Sequence, residues 1–409
     1  MGVIRLIHCK IDHLQRAVTL KPRGRSILII GQNGSGKTSL LGSIHKELKI
    51  FLEHNWGDRH KFIKATEQYR SNTYNRSHLQ HPINDADRLN ALLRSTRDDY
   101  RGRRNNRLFK IDDVENFAKA VSSHEVALKL FSAHRRADIQ EVQSAGGLEN
   151  ASRRTEVSHN LARDLEQHLV NLKVRAAIGL LQEEGDLQVE RVNAWFLKFE
   201  KDLRYLFEDE SVSLRFDANK LRYFITQEGR SEFSFKDLSS GYSAIFDIFG
   251  DLIVRAEYLS RTPEELVGVV FIDEIDAHLH VSLQRKVLPF LMKSFPGIQF
   301  IVTTHSPFVL SSVDNVLIYD LSSGKSAMDL SMYSVDAILE GLLRVPPISK
   351  KLENLILSLA RHTEKESFDL IKAKKLLDEV SPYLEGLDTE SRMYYELSRR
   401  KIIRAQART

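Results

Sequence analysis

The sequence predicts an α/β protein with a mixed core sheet, an antiparallel β lobe, helical insertions and a C-terminal helical tail. Three observations carry this. Short apolar runs at 27–30, 267–272 and 298–302 are each closed by glycine or polar residues, as buried strands require. Segments with apolar residues three and four apart lie between them, as packed helices require. Three short strand-like segments, 211–216, 221–227 and 232–235, follow one another with turn residues between them.

The elements follow in order. Residues 3–9 and 16–20 read as a hairpin leading into the strand 27–30, and a helix runs from Lys37 to about Phe51. Residues 52–125 are polar and rich in Arg, Asn and His, with helical patches expected near 84–97 and 112–121. Residues 125–131 form a strand and 137–155 a loop. Helices are expected at about 156–182, ended by Gly185, and at 188–207, whose aromatic residues suit a core better than a cofactor box. The three short strands precede a helix that begins near Tyr242. The strand 267–272, a helix at 281–294, the strand 298–302 and a last strand at 315–321 complete the head. From 333 onward the chain reads as helical and charged, with little core of its own. Two regions follow: a head, 1–332, and a helical region, 333–409.

The 409 residues suffice for a large core and more than one lobe. Hydrophobic content of 42% and charged content of 28% are ordinary for a soluble globular protein. The net charge of +5 leans toward polyanion partners, and a solvated surface accounts for it as well. Cys9 is the single cysteine, which excludes a disulfide framework and a cysteine-based metal site and fits a reducing cytoplasm. No apolar run approaches the ~20 residues of a membrane span, and no signal peptide is read at the start, so a cytoplasmic protein without membrane contact is expected.

The chemistry is concentrated after the strand 27–30. Gly31-Gln-Asn33-Gly34-Ser35-Gly36-Lys37-Thr38-Ser39 has the spacing of a phosphate-binding loop. Glycines let backbone N–H groups curl around phosphate oxygens, and the helix start adds unpaired donors. Lys37 would reach the β- and γ-phosphates, and the Thr38 hydroxyl would hold Mg²⁺. A second strand, Val269–Ile272, ends in Asp273 and Glu274. Asp273 suits Mg²⁺, and Glu274 suits a general base for the attacking water.

Arg94, Arg97, Arg101, Arg103, Arg104, Arg107 and Lys110 form a basic run against Asp98 and Asp99. Such a run can grip nucleic acid, or it can be a solvated insertion. His278 and His280 have no third ligand at sensible spacing, which argues against a metal site.

The phosphate loop, then Leu238-Ser239-Ser240-Gly241, then Asp273-Glu274, then Thr304-His305-Ser306, resemble in order and context the head of ABC-type ATPases of the SMC/RecF/OLD branch, over roughly residues 1–321. The resemblance implies a P-loop NTPase that binds ATP and Mg²⁺, hydrolyses ATP, and closes two heads over shared sites. Ser239, Ser240 and Gly241 would face the γ-phosphate held by the other copy. An ordinary helix cap is the plain alternative for Ser239. Ser240 and Tyr242 depart from the family pattern, where glycine and a glutamine or glutamate are common. His305 matches the switch histidine, and Asp276 falls near the interface loop. Gln140, or else His134-Arg135, falls where the family carries its loop glutamine.

The segments Asp273-Glu-Ile-Asp-Ala-His-Leu-His280 and Thr303-Thr-His-Ser-Pro-Phe308, with the helical tail from Ser334, resemble the ATPase subunits of bacterial anti-phage systems such as PARIS, Septu and retron-linked operons. That resemblance implies control of a separately encoded effector, usually a nuclease. The tail shows no Glu and Asp-x-Asp set of a Toprim nuclease, so chemistry beyond ATP is expected from a partner. A RecF-like DNA-repair ATPase that clamps DNA without an effector is the alternative.

Overall fold

Four strands buried along their whole length, Ile27–Ile30, Gly268–Ile272, Ile298–Thr303 and Leu317–Asp320, lie side by side and set the frame. The computed structural model describes residues 3–11, 16–53, 109–142, 160–179, 185–328, 330–343, 349–364, 368–387 and 389–406. The helical patch expected at 84–97, and all of the basic run except Lys110, lie outside these residues.

In chain order, β1 (Ile4–Ile11) and β2 (Arg16–Leu20) form the expected hairpin, with Ile7 opposite Leu20. β3 (Ile27–Ile30) runs through the glycine-rich loop into α1 (37–53). β4 (Phe109–Ile111) pairs with the other edge of β1 and was not expected, because three residues give no readable alternation. After α2 (Val114–Ser122) comes β5 (Ala127–Phe131).

The helix expected from 156 begins later, as a 3₁₀ turn at Ala162–Asp164 that continues into α3 (Leu165–Gly179). Gly185 does not end it; Gly185 opens α4 (Gly185–Phe207). β6 (Ser213–Asp217), β7 (Arg222–Thr226) and β8 (Phe233–Ser234) form the antiparallel lobe. Next come α5 (Ser240–Tyr258), β9 (Gly268–Ile272), α6 (Val281–Ser294), β10 (Ile298–Thr303), the single-turn α7 (Pro307–Leu310) and β11 (Leu317–Asp320). The sheet does not stop there. β12 (Lys325–Met328) folds back antiparallel to β11 through a turn at Gly324, and its polar sequence hides it from any apolar-run reading.

The mixed core sheet has the order β12-β11-β3-β10-β9-β5, parallel except for β12. Register brings the ends of four neighbouring strands level: Ile29 pairs with Thr303, Val302 with Ile272, and Ile272 with Phe131. Open sheets of this kind bind ligands at the carboxyl ends of their strands. Leu40, Leu41, Ile44, Leu48 and Leu52 of α1 share one core with Ile27, Ile29, Val269, Phe271 and Ile301 of the sheet. Each such burial is worth roughly 1.5–3 kcal/mol, which fixes the helix carrying the phosphate loop onto the strand that precedes it. The aromatic residues of α4 pack inward as expected. Trp195 stacks on Phe199 with centroids 5.1 Å apart, and Phe199 stacks on Phe249 at 6.0 Å.

The chain divides into two compact units, Met1–Ser331 and Met332–Thr409. The second contains α8 (Val335–Ile338), α9 (Lys350–Glu364), α10 (Leu370–Val380) and α11 (Thr389–Gln406). It has its own core of Ile356, Leu359, Ala373, Val380, Leu387, Tyr395 and Ile402, contrary to the expectation of little core. α9, α10 and α11 each supply only two of these residues, so no single stretch looks apolar. Among the described residues no helix is long and apolar enough to cross a membrane.

Candidate active site

β3 delivers the chain to Gly31, and the next residues turn back on themselves. Ser35 N donates to Gln32 O at 3.1 Å, and Leu40 N donates to Gly36 O at 2.8 Å as α1 starts. Gly34 and Gly36 both have left-handed φ, 78° and 91°, which a side chain would strain. The loop is also pinned from outside, because Gln32 N donates to Ser322 Oγ in the β11–β12 turn at 2.9 Å. Lys37 is 6% exposed. Its Nζ donates to Gly31 O at 3.0 Å and Gln32 O at 3.1 Å, both neutral carbonyls of the loop. Among the described residues no carboxylate comes within ion-pair distance of it. Burial holds the Lys37 ammonium below its usual pKa, against the opposing pull of Glu274, Asp273 and Asp276. A buried cation paired only with carbonyls is a natural receptor for an anion. The buried Ser35 hydroxyl, which has no partner among the described residues, is a further group that a phosphate would satisfy.

Two strands away, β9 ends at Asp273, which is 4% exposed. Asp273 N donates to Phe131 O at 2.9 Å, extending the ladder by one residue. Thr303, at the end of β10, donates its hydroxyl to Asp273 Oδ1 at 2.6 Å and accepts the Glu274 N–H at 2.7 Å. Ile275 N donates to Thr303 O at 3.1 Å. Glu274 itself sits at φ 44°, a left-handed conformation that a non-glycine residue adopts only when its surroundings impose it.

The turn continues to Asp276. Its Oδ1 accepts the Thr304 hydroxyl at 2.5 Å and the His305 N–H at 3.3 Å. Ser306 then caps α7 by accepting from Phe308 N and Val309 N, and donates to Gln284 Oε1 at 2.6 Å. His305 is thus fixed on both sides. Burial and the Lys37 charge lower its pKa, against Asp276, Glu274 and Asp273, so the ring is held neutral near pH 7. Strand register and these hydrogen bonds bring the residues that follow β3, β10 and β9, among them Lys37, Asp273, Glu274, Asp276 and His305, to one end of the sheet.

The other residues singled out by sequence have contacts of their own. Ser239 occupies the N-cap position of α5, as the plain alternative has it, and its C=O accepts the Ser243 N–H at 2.8 Å, but its side chain makes no capping bond. Ser239 and Ser240 are exposed, and Gly241 is buried. A Cβ on Gly241 would stand 3.0 Å from His278 O, so a side chain there would push on the turn after Asp276. Among the described residues no hydrogen bond joins Ser239–Gly241 to the phosphate loop. Tyr242 stacks on Phe207 at 4.2 Å, which explains an aromatic residue where the resemblance expects a polar one. The Gln140 N–H donates to Arg163 O at 3.0 Å, and among the described residues no hydrogen bond joins Gln140 to the acids. Arg135 occupies that place instead. Its Nη1 donates to Asp273 O at 2.7 Å, and its Nη2 donates to Glu274 O and Ile275 O at 3.0 and 2.9 Å. Among the described residues no group of three His, Cys, Asp or Glu is arranged to hold a metal by itself.

A resident Mg²⁺ would find hard oxygen donors here. Thr38 is exposed at the first turn of α1, and Asp273 engages the Thr303 hydroxyl through one carboxylate oxygen, leaving the other for a cation. Asn33 and Ser39 flank the loop glycines, exposed and half-buried respectively.

A glycine-rich loop between a buried strand and a helix, with an acid pair closing a parallel strand two places away, defines a P-loop protein of the nucleotide-binding α/β class. The chain belongs to the family described as "AAA domain, putative AbiEii toxin, Type IV TA system", which matches residues 26–311. Among curated proteins it is 35% identical over 164 residues to "Retron Ec83 probable ATPase" of Escherichia coli, covering 39% of this chain and 29% of that protein. It is 36% identical over 118 residues to "Septu protein PtuA" of Bacillus mycoides (strain KBAB4), covering 29% of this chain and 16% of that protein. The chain therefore spans less than a third of the length of these relatives. A solved Smc head bound to the C-winged helix domain of ScpA is 12% identical with a TM-score of 0.39, covering 82% of this chain and 100% of that one. A nucleotide-free ATP-binding cassette from an ABC transporter is 14% identical with a TM-score of 0.36, covering 85% and 96%.

Proposed function

We propose that this chain binds ATP with Mg²⁺ and hydrolyses it, that two copies share their ATP sites, and that the ATP cycle controls a separate effector in anti-phage defence. The convergence of Lys37, Asp273, Glu274 and His305 at the ends of three adjacent strands carries the reading. Lys37 exchanges its two loop carbonyls for β- and γ-phosphate oxygens. Gly31, Asn33, Gly34, Ser35, Gly36 and Ser39 supply the loop around them. Thr38 and Asp273 hold Mg²⁺, which neutralises charge developing on the phosphates. Glu274 takes a proton from the attacking water, and neutral His305 steadies the water and the γ-phosphate.

The exposure of Ser239 and Ser240, which among the described residues share no hydrogen bond with the chain's own loop, supports their facing a second copy. The anti-phage role rests on the resemblance to retron-linked and Septu ATPases, and the effector is expected to be a nuclease encoded nearby. The direct test is ATP turnover by the purified chain. Lys37→Ala is expected to weaken ATP binding by more than about 100-fold, and unchanged affinity overturns the site. A neighbouring nuclease or reverse-transcriptase gene supports the defence role, whereas replication and repair neighbours support the DNA-clamp reading.

A further inference from the structure

Three consecutive carbonyls, those of Asp273, Glu274 and Ile275, converge on one side chain. Arg135 reaches all of them at 2.7–3.0 Å, and its Nη1 also donates to Ser132 O at 3.1 Å. Every acceptor is neutral. Among the described residues Arg135 has no ion pair, and its Nε is buried without a partner. A cation in such a place costs stability that a smaller neutral donor would not. A planar guanidinium, however, can bind several carbonyls in one fixed geometry, and an ammonium cannot.

The bound carbonyls flank the strained peptide of the turn. Glu274 is held at φ 44° from two sides: Thr303 accepts its N–H, and Arg135 takes its C=O and those on either side. Relaxing this φ toward the ordinary right-handed region would rotate the Cα–Cβ bond and carry the carboxylate to a new direction. The loop bearing Arg135 is itself anchored, because Ala137 N donates to Ser243 O at 3.3 Å and Gln140 N to Arg163 O at 3.0 Å.

We propose that Arg135 is a positioning residue that clamps the 273–275 carbonyls and so aims the Glu274 carboxylate for water activation. The inference rests on the reading of Glu274 as the general base. A double-mutant cycle with Glu274→Gln tests it, using steady-state ATP turnover, ATP affinity and melting temperature on the full chain. Arg135→Lys is expected to lower kcat about 30-fold or more, with ATP affinity within about 3-fold of wild type. In a Glu274→Gln background the same change should cost less than about 3-fold, because the group it positions is already gone. Penalties that multiply, or a wild-type kcat in Arg135→Lys, overturn the proposal while leaving the site assignment standing. No turnover in the wild-type chain overturns both. If Arg135→Lys melts below the assay temperature, Arg135→Gln is carried through the same cycle with the same two criteria.

Discussion

Thr303 holds Asp273 through one hydroxyl that serves two neighbours: it donates to Asp273 Oδ1 at 2.6 Å while accepting the Glu274 N–H at 2.7 Å. The acid pair is therefore oriented from the adjacent strand, not from its own. Valine has the same shape and no donor. Thr303→Val leaves the Glu274 N–H buried and unpaired, at a cost of about 1–3 kcal/mol. The expected result is a kcat lower by about 10- to 100-fold and a higher Mg²⁺ requirement, with ATP affinity nearly unchanged. Turnover titrated against Mg²⁺ checks it, and a wild-type titration curve contradicts it.

Shared sites make a different prediction. Ser239→Arg should block hydrolysis and leave ATP binding intact, since Ser239 is exposed and absent from the chain's own loop. Lys37→Ala should be silent for the opposite reason. Mixed in equal amounts, the two inactive proteins should regain about a quarter of wild-type turnover, because random pairing leaves one intact composite site in half of the dimers. A mixture as silent as its components contradicts shared sites.

Acid lability should trace to α3. His168 on α3 is 2% exposed, packs edge-on to Trp195, and among the described residues has no hydrogen bond on either ring nitrogen. Burial, with a smaller opposing effect of Glu257 and a reinforcing one of Arg175, pushes its pKa down to about 4. The folded state keeps the ring neutral where the unfolded chain protonates it. Stability from this group is complete above the ordinary histidine pKa and is lost as pH falls toward 4, by about 2 kcal/mol between pH 7 and pH 5. His168→Leu should flatten that decline, as read from urea melts at the two pH values. An unchanged slope contradicts it.

Local chemistry was legible in the sequence, and chemistry across strands was not. The phosphate loop reads directly because Gly34, Gly36, Lys37 and Thr38 act within one turn of chain. Asp273 and His305 were legible only because each follows an apolar run that announces a buried strand. Arg135 follows the strand 125–131 and was a candidate for the loop-glutamine place, but its hold on the turn was not legible. Its partners are backbone carbonyls 138 to 140 residues away, and carbonyls carry no sequence. β4, β12 and the core of Met332–Thr409 were missed for a related reason: short polar strands and apolar residues divided among three helices have no local signature.

The central claim, that the loop at Lys37 and the acids at the end of β9 form one ATP-hydrolysing site, is tested most directly by Glu274→Gln. The measurement pairs bound-nucleotide analysis with the molecular mass of the protein in Mg²⁺-ATP. The account predicts that the variant binds ATP as tightly as wild type, hydrolyses it at least about 100-fold more slowly, and accumulates as a dimer holding unhydrolysed ATP. A variant that turns over ATP at the wild-type rate, or that stays monomeric with no bound nucleotide, contradicts it.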